Sequence, residues 1–312
     1  MLDHLPLELV SDILRVTAEA CLQTDHRTIL NIALSCSLGY GSAIPALYTS
    51  IVVDEKNKDY VCRIFDENTP FISGLLHAAP SQRLCHHIRR IFLEANRSLL
   101  ATEVRHLVNL HSVFNLFLEI DVLPPELYPH IAPTLRQLYV LSVVYPMTLP
   151  ESVTHVSYYV HVRSPRSFGD FEDYMQRVIP DTVTHIALEL NESIEPSYET
   201  PLLSLFKTLL TRDSNAPIVL RLYRDASGEE CERVVLRAIA RLGQEQLRRR
   251  VKLWRDARPM VENEDDINTS KLDCIAGRTP WEEAESVSQA ELEAAQNWQK
   301  PSKPVEENEP IE

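Results

Sequence analysis

Five times between residues 88 and 188 the chain repeats one short pattern, apolar-x-x-apolar-x-apolar. It falls at Ile88/Ile91/Leu93, Val113/Leu116/Leu118, Leu135/Leu138/Val140, Val153/Val156/Tyr158 and Val183/Ile186/Leu188, with starts 25, 22, 18 and 30 residues apart. Two of the units are near copies, LPESVTHVSYY from Leu149 and IPDTVTHIALE from Ile179. A unit holding a single short strand cannot bury its apolar face alone, so neighbouring units must stack. Helix-like stretches lie between the strands, among them Glu103 to Leu110, Phe171 to Val178 and Leu202 to Leu210. One strand and one crossover per unit predicts an α/β fold in which residues 80 to 255 form a curved parallel sheet. Two further strands, Ile218 to Tyr223 and Val251 to Trp254, flank a helix over Glu229 to Leu242, whose apolar face carries Val234, Val235, Ala238 and Leu242.

Ahead of the repeats, residues 3 to 48 read as helical. Asp3 can cap the first helix, Pro6 suits its first turn, and Leu9, Val10, Ile13 and Leu14 recur at helical spacing. A second helix carries Leu30, Ala33 and Leu34 and is expected to end at Gly39 and Gly41, since glycine accepts the left-handed conformation that closes a helix. Ile44, Leu47 and Tyr48 make a last short turn before the β-branched run Ser50-Ile51-Val52-Val53 opens the strands.

The net charge of −14 is concentrated at one end. Pro259 to Glu312 holds fourteen acidic against four basic residues, a net of −10, which leaves −4 for the other 258 residues. No global field favours nucleic acid or an anionic membrane. The basic run Arg248, Arg249, Arg250, Lys252, Arg255 and Arg258 reads as a solvated face held near the acidic tail. Composition divides the end into an acidic flexible linker over 257–278, most mobile from Glu262 to Thr269, a helix over 279–299 and a disordered tail over 300–312. Thr279-Pro280-Trp281-Glu282 supports that helix as a capping box with proline in the first turn, and the helix is expected to dock near Leu253 and Trp254.

Chemistry-bearing patterns are sparse. The six cysteines, at 21, 36, 62, 85, 231 and 274, form no CxxC pair and read as reduced, buried thiols. Cys85-His86-His87 is the densest metal-type cluster, but adjacent strand residues point to opposite faces, so no metal and no cofactor is expected. His155 and His185 occupy equivalent places in the copied units and are expected to line one surface, together with His161. No GxSxG elbow or activated cysteine motif accompanies them, so no catalytic residue is assigned. Seven glycines leave little material for nucleotide-binding loops. Asp3, Glu8 and Asp12 stand where a signal peptide needs positive charge, and no run of eighteen apolar residues occurs, so an intracellular protein, cytoplasmic or nuclear, is expected. Asn96-Arg97-Ser98 and Asn191-Glu192-Ser193 then read as polar turns rather than glycosylation sites.

The opening LPLELVSDIL, followed by RTILNIALSCS and IPALYTSIVV, resembles an F-box. The whole order, closing on Gly277-Arg278-Thr279-Pro280-Trp281-Glu282-Glu283-Ala284-Glu285, is similar to the F-box-like proteins with irregular leucine-rich-repeat-like domains found in mushroom-forming fungi. The resemblance implies a helical box over 1–48, an irregular leucine-rich-repeat-like α/β solenoid over 49–256, and a non-enzymatic substrate adaptor of a cullin-type ubiquitin ligase. The box would bind a Skp-type linker protein and the repeats a target protein, without nucleic acid or membrane. Leu5, Pro6, Leu9, Ile13 and Leu14 are the candidate partner-binding residues, because aliphatic anchors seated in a groove supply most helix-mediated affinity. The second box helix departs from the pattern, with Ser37 and the Leu38–Tyr40 stretch interrupted by Gly39 where the family carries a basic and a bulky residue. Two alternatives stay open: a stand-alone interaction scaffold whose degenerate box only caps the repeats, and a cryptic hydrolase. The adaptor requires an exposed apolar face on the first two helices, whereas the scaffold requires that face to be covered by residues such as Ile51, Phe65 or Phe71.

Overall fold

The computed structural model describes residues 6–21, 26–53, 57, 87–93, 115–118, 134–140, 149–160, 165–190, 195–211, 216–223, 228–256 and 269–297. The protein is mixed α/β. Three helices, α1 (Leu7–Cys21), α2 (His26–Ser35) and α3 (Ser37–Thr49), precede a mostly parallel sheet. Its strands are β1 (Ser50–Val53), β2 (Arg90–Leu93), β3 (Asn115–Leu118), β4 (Gln137–Val140), β5 (His155–Val160), β6 (His185–Leu190), β7 (Ile218–Tyr223), β8 (Val251–Asp256) and β9 (Glu285–Ser286). They lie side by side in chain order, and all pairs are parallel except the last, β8 with β9. The later helices are α4 (Pro165–Val178), α5 (Glu199–Thr211), α6 (Gly228–Ala240), α7 (Glu245–Arg249), α8 (Thr269–Ala276), α9 (Pro280–Glu283) and α10 (Gln289–Asn297).

Alternation along each strand sorts the side chains. Val156, Tyr158 and Val160 of β5, Ile186, Leu188 and Leu190 of β6, and Ile218, Leu220 and Leu222 of β7 all enter one large core with Phe171 and Met175 of α4, Phe206 and Leu209 of α5, and Val234, Val235 and Ile239 of α6. The same side of β1 and β2 contributes Ile51, Val53 and Ile91. The two copied units share one local geometry. In each, a proline carbonyl accepts the N–H of the valine three residues on, Val153 from Pro150 at 3.0 Å and Val183 from Pro180 at 3.1 Å. Each threonine hydroxyl then meets its neighbouring histidine Nδ1, at 2.8 Å for Thr154 and His155 and 3.0 Å for Thr184 and His185. The VTH triplet is thus a strand-entry motif, which explains its recurrence.

Gly39 and Gly41 do not end the second helix as the sequence suggested. Helix α2 stops at Ser35, Cys36 caps α3 in an extended conformation, and both glycines lie inside α3. Neither has positive φ. Gly39 is there for closeness, since a Cβ would collide with the Ile32 carbonyl oxygen where α3 leaves α2. Cys36 is exposed rather than buried, because its thiol accepts the Gly39 N–H at 3.3 Å. Cys231 and Cys274 are buried and Cys21 is half-buried, none of the three in a disulfide, and Cys62 and Cys85 lie outside the described residues.

The C-terminal region also differs from its composition. A helix, α8, occupies Thr269–Ala276 within the stretch expected as linker, because Cys274 and Asp273 find buried partners on the sheet; residues 257–268 lie outside the described set. It ends in a Schellman turn. Arg278 N–H reaches Asp273 O and Gly277 N–H reaches Cys274 O, with Gly277 at φ +70°. The helix expected over 279–299 is broken in two by the strand β9. Ala284 turns extended (ψ 135°) after one turn of α9, and the real capping box is Ser288 with Glu291, which starts α10. The Thr279 hydroxyl donates to the Glu282 carboxylate at 2.8 Å instead of serving a free amide. Residues 269–297 form a strap: α8 and α9 lie on the sheet face opposite the helices, β9 lines the β8 edge, and α10 reaches α6, where Leu292 and Ala295 join the main core.

The basic run disperses. Arg250 donates to the Leu210 and Ala216 carbonyls, Arg248 to the Leu242 carbonyl, Arg249 pairs with Glu245, and Arg255 bridges Glu232 of α6 and Glu291 of α10. Strand alternation and these local partners prevent a single solvated basic face; Arg258 lies outside the described residues.

Candidate functional site

Two surfaces carry the functional argument. The first is the outer side of the N-terminal helices. Ala18, Ile29, Ala33, Ala43 and Ala46 form a small core at the centre of α1, α2 and α3, and Ser11 and Ser42 meet there at 3.1 Å. Ile44 belongs to both this core and the main one, and α3 runs directly into β1, which fixes the helices to the sheet. Small alanines let the three helices approach closely but use little of the larger apolar side chains. Leu9, Ile13 and Val16 lie on one outward face of α1, and Leu30 and Leu34 face outward on α2, with exposures from 49% at Ile13 to 81% at Leu34. Leu7, at the start of α1, is 71% exposed. Among the described residues these are the large apolar side chains left in water, and their spacing makes two helical stripes.

The candidate partner residues divide accordingly. Pro6, Leu9 and Ile13 are exposed. Leu14 is half-buried on the inner side of α1, in step with Val10, Ala18 and Cys21, and Leu5 lies outside the described residues. Val16, Leu30, Leu34 and Leu7 join the exposed set beyond the candidate residues; Leu7 stands within the LPLEL opening, and the other three recur at helical spacing. Of the residues that would cover this face in a scaffold, Ile51 is in the main core, and Phe65 and Phe71 lie outside the described set.

The second surface is the sheet face opposite the helices, under the strap. At its centre Arg221, 1% exposed, is held by three carboxylates. Its Nη1 donates to Glu189 at 3.3 Å, and its Nη2 to Asp256 at 2.6 Å and to Asp273 at 2.5 Å. Tyr223 OH and Ser157 Oγ donate to Glu189, at 2.8 and 3.3 Å, and Trp254 lies over the guanidinium at 3.8 Å. Burial acts to lower the pKa of this arginine, but Glu189, Tyr223, Asp273 and Asp256 more than reverse it and hold the charge firmly. Beside this cluster the His155 and His185 rings stack in parallel 4.0 Å apart, with the Trp281 ring edge-on at 5.1 and 5.9 Å. Burial, then the neighbouring His185, pushes His155 down to about 4; burial and Lys252 lower His185. Both are neutral near pH 7. His161 lies outside the described residues, as do His86, Asn96-Arg97-Ser98 and Asn191-Glu192-Ser193.

Among the described residues no group of three or more His, Cys, Asp or Glu side chains could hold a metal ion, and no helix is long and apolar enough to cross a membrane. No family model, curated protein or solved structure matches the chain.

Proposed function

We propose that the protein is a non-enzymatic F-box-like adaptor, whose α1 and α2 dock on a Skp-type linker of a cullin-RING ubiquitin ligase while an irregular leucine-rich-repeat-like sheet domain selects a target protein. The observation that carries this reading is the outward apolar face of Leu9, Ile13, Val16, Leu30 and Leu34 on a module whose own core is made mostly of alanines. Fully burying one Leu or Ile side chain contributes roughly 1.5–3 kcal/mol, so a few anchors on such a face supply the affinity of a helix-in-groove contact. The sequential, parallel order of β1 to β8, with one crossover per strand, supports the repeat reading. Residence in the cytoplasm or nucleus follows from the same reading.

The experiment is a pull-down of the tagged full chain with mass spectrometry of what it retains. A Skp-type linker should be captured by the wild-type chain and lost from a chain carrying Leu9→Asp and Ile13→Asp, with the far-UV spectrum unchanged. Retrieval of other partners without any linker would favour the scaffold.

A further inference from the structure

The sheet face opposite the helices is filled by the chain's own strap at three points. Cys274 seats against Phe92, Tyr139 and Val52. Asp273 completes the carboxylate shell of Arg221. Trp281 stands over His155 and His185 and, with Ala284, packs on Ala187, Val219 and Trp254.

The strap is attached as a bound segment would be. Among the described residues its ladder pairing with the sheet is the two residues of β9 on the β8 edge, its Cys274 and Ile275 carbonyls accept from the side chains of Ser50 and Arg90, and β1 to β8 pair with one another without it. Twelve residues, 257–268, separate β8 from α8 in the sequence. Extended, that length spans roughly 40 Å, enough for α8 to lift without pulling on the last strand. The part that would leave is 269–286, α8 to β9; α10 stays on α6, with Leu292 and Ala295 in the main core. Arg221 keeps Glu189, Asp256 and the Trp254 ring when Asp273 departs. What remains on the face is a guanidinium with one carboxylate position vacated, two neutral imidazoles, and Lys252 and Arg90 nearby, beside the rings of Trp254, Tyr139 and Phe92.

We propose that this is a protein-binding face held shut by the strap. Its partner is an acidic segment bearing an aromatic residue, whose carboxylate takes the Asp273 position on Arg221 and whose ring takes the Trp281 position over His155 and His185. The proposal rests on the reading of the sheet domain as the target-selecting part, and names the chemistry of that target. It makes no use of the α1 face.

The test uses a fluorescein-labelled peptide of residues 269–288 and the full chain. Anisotropy titration should show the peptide binding a chain with Asp273→Ala and Trp281→Ala at least about tenfold more tightly than wild type, where the intact strap competes. The same peptide carrying both alanines should bind neither. Failure of the peptide to bind a variant that keeps the wild-type far-UV spectrum overturns the proposal. If the variant does not fold, a wild-type chain with a protease site placed within 257–268 decides instead. After cleavage, about a hundredfold excess of labelled peptide should replace the strap, with the sheet still folded by circular dichroism. A strap that is not displaced, or a sheet that melts as the strap leaves, overturns it. Linker capture should be the same in every one of these chains, so a failure here and a failure of the adaptor reading are separately visible.

Discussion

Arg221 of β7 and Asp273 of α8 meet at 2.5 Å although 52 residues apart, and this contact ties the C-terminal strap to the sheet face opposite the helices. The pair is unequal. Asp273 has a second cation, Arg278 at 3.3 Å, whereas Arg221 is the guanidinium that Glu189 and Asp256 share. Removing the arginine leaves buried carboxylates uncompensated, which costs about 3–5 kcal/mol. Arg221→Met should therefore lower the unfolding free energy by that order, while Asp273→Asn, which keeps a hydrogen-bonding group, should cost about 1–2 kcal/mol. Urea titrations of the two variants check the order. Equal losses would mean that the strap, rather than the two sheet carboxylates, holds the guanidinium.

The stacked histidines predict an acid-sensitive step. Their folded pKa values lie below the ordinary 6.5, His155 at about 4. Above that ordinary value both states are neutral and the pair adds no pH dependence. As pH falls from about 6.5 toward 4 the unfolded chain takes up protons that the folded chain refuses, and stability falls. Lys252 on β8 opposes charging of His185, and Glu282 of α9 lies on the same covered face as Trp281. The urea midpoint should drop between pH 7.5 and 5, and drop less in a chain with His155→Gln and His185→Gln. An unchanged slope in that variant would place the acid sensitivity elsewhere.

Three glycines should respond differently to alanine. Gly277→Ala forces a left-handed residue and drives a Cβ into the Arg90 guanidinium, so a loss of at least about 1–2 kcal/mol is expected. Gly39→Ala should also destabilise, by crowding the Ile32 carbonyl. Gly41, with nothing within 4 Å of an added Cβ and a helical backbone, should gain roughly 0.5–1 kcal/mol. Thermal melts of the three chains give the signs directly.

The strands were legible because their apolar pattern is a consequence of facing a helical layer: Val156, Ile186, Leu220 and Leu253 all belong to that one core. The exposed helix face was legible in part, since Leu9 and Ile13 follow from periodicity, but which stripe turns inward depends on α3, and Leu14 is half-buried rather than exposed. The Arg221 cluster was missed. Its signal was present as a lone charged residue inside two apolar strands, Glu189 in IALEL and Arg221 in VLRLY, and as Asp256 closing the third after LWR. In register, Glu189 faces Arg221 and Tyr223 faces Asp256. Asp273 could not be found this way, because acidic composition read as a mobile linker hides a residue whose partner lies on a strand 52 positions back.

The outward face of α1 and α2 as a partner site is tested most directly by isothermal titration of the purified full chain with a purified Skp-type linker. Wild type should bind with one-to-one stoichiometry. Leu9→Asp with Ile13→Asp should abolish the heat, and Leu14→Ala, on the inner side of α1, should lower stability while leaving the contact in place. No binding by a folded wild-type chain, or undiminished binding by the Leu9→Asp, Ile13→Asp variant, would contradict the account.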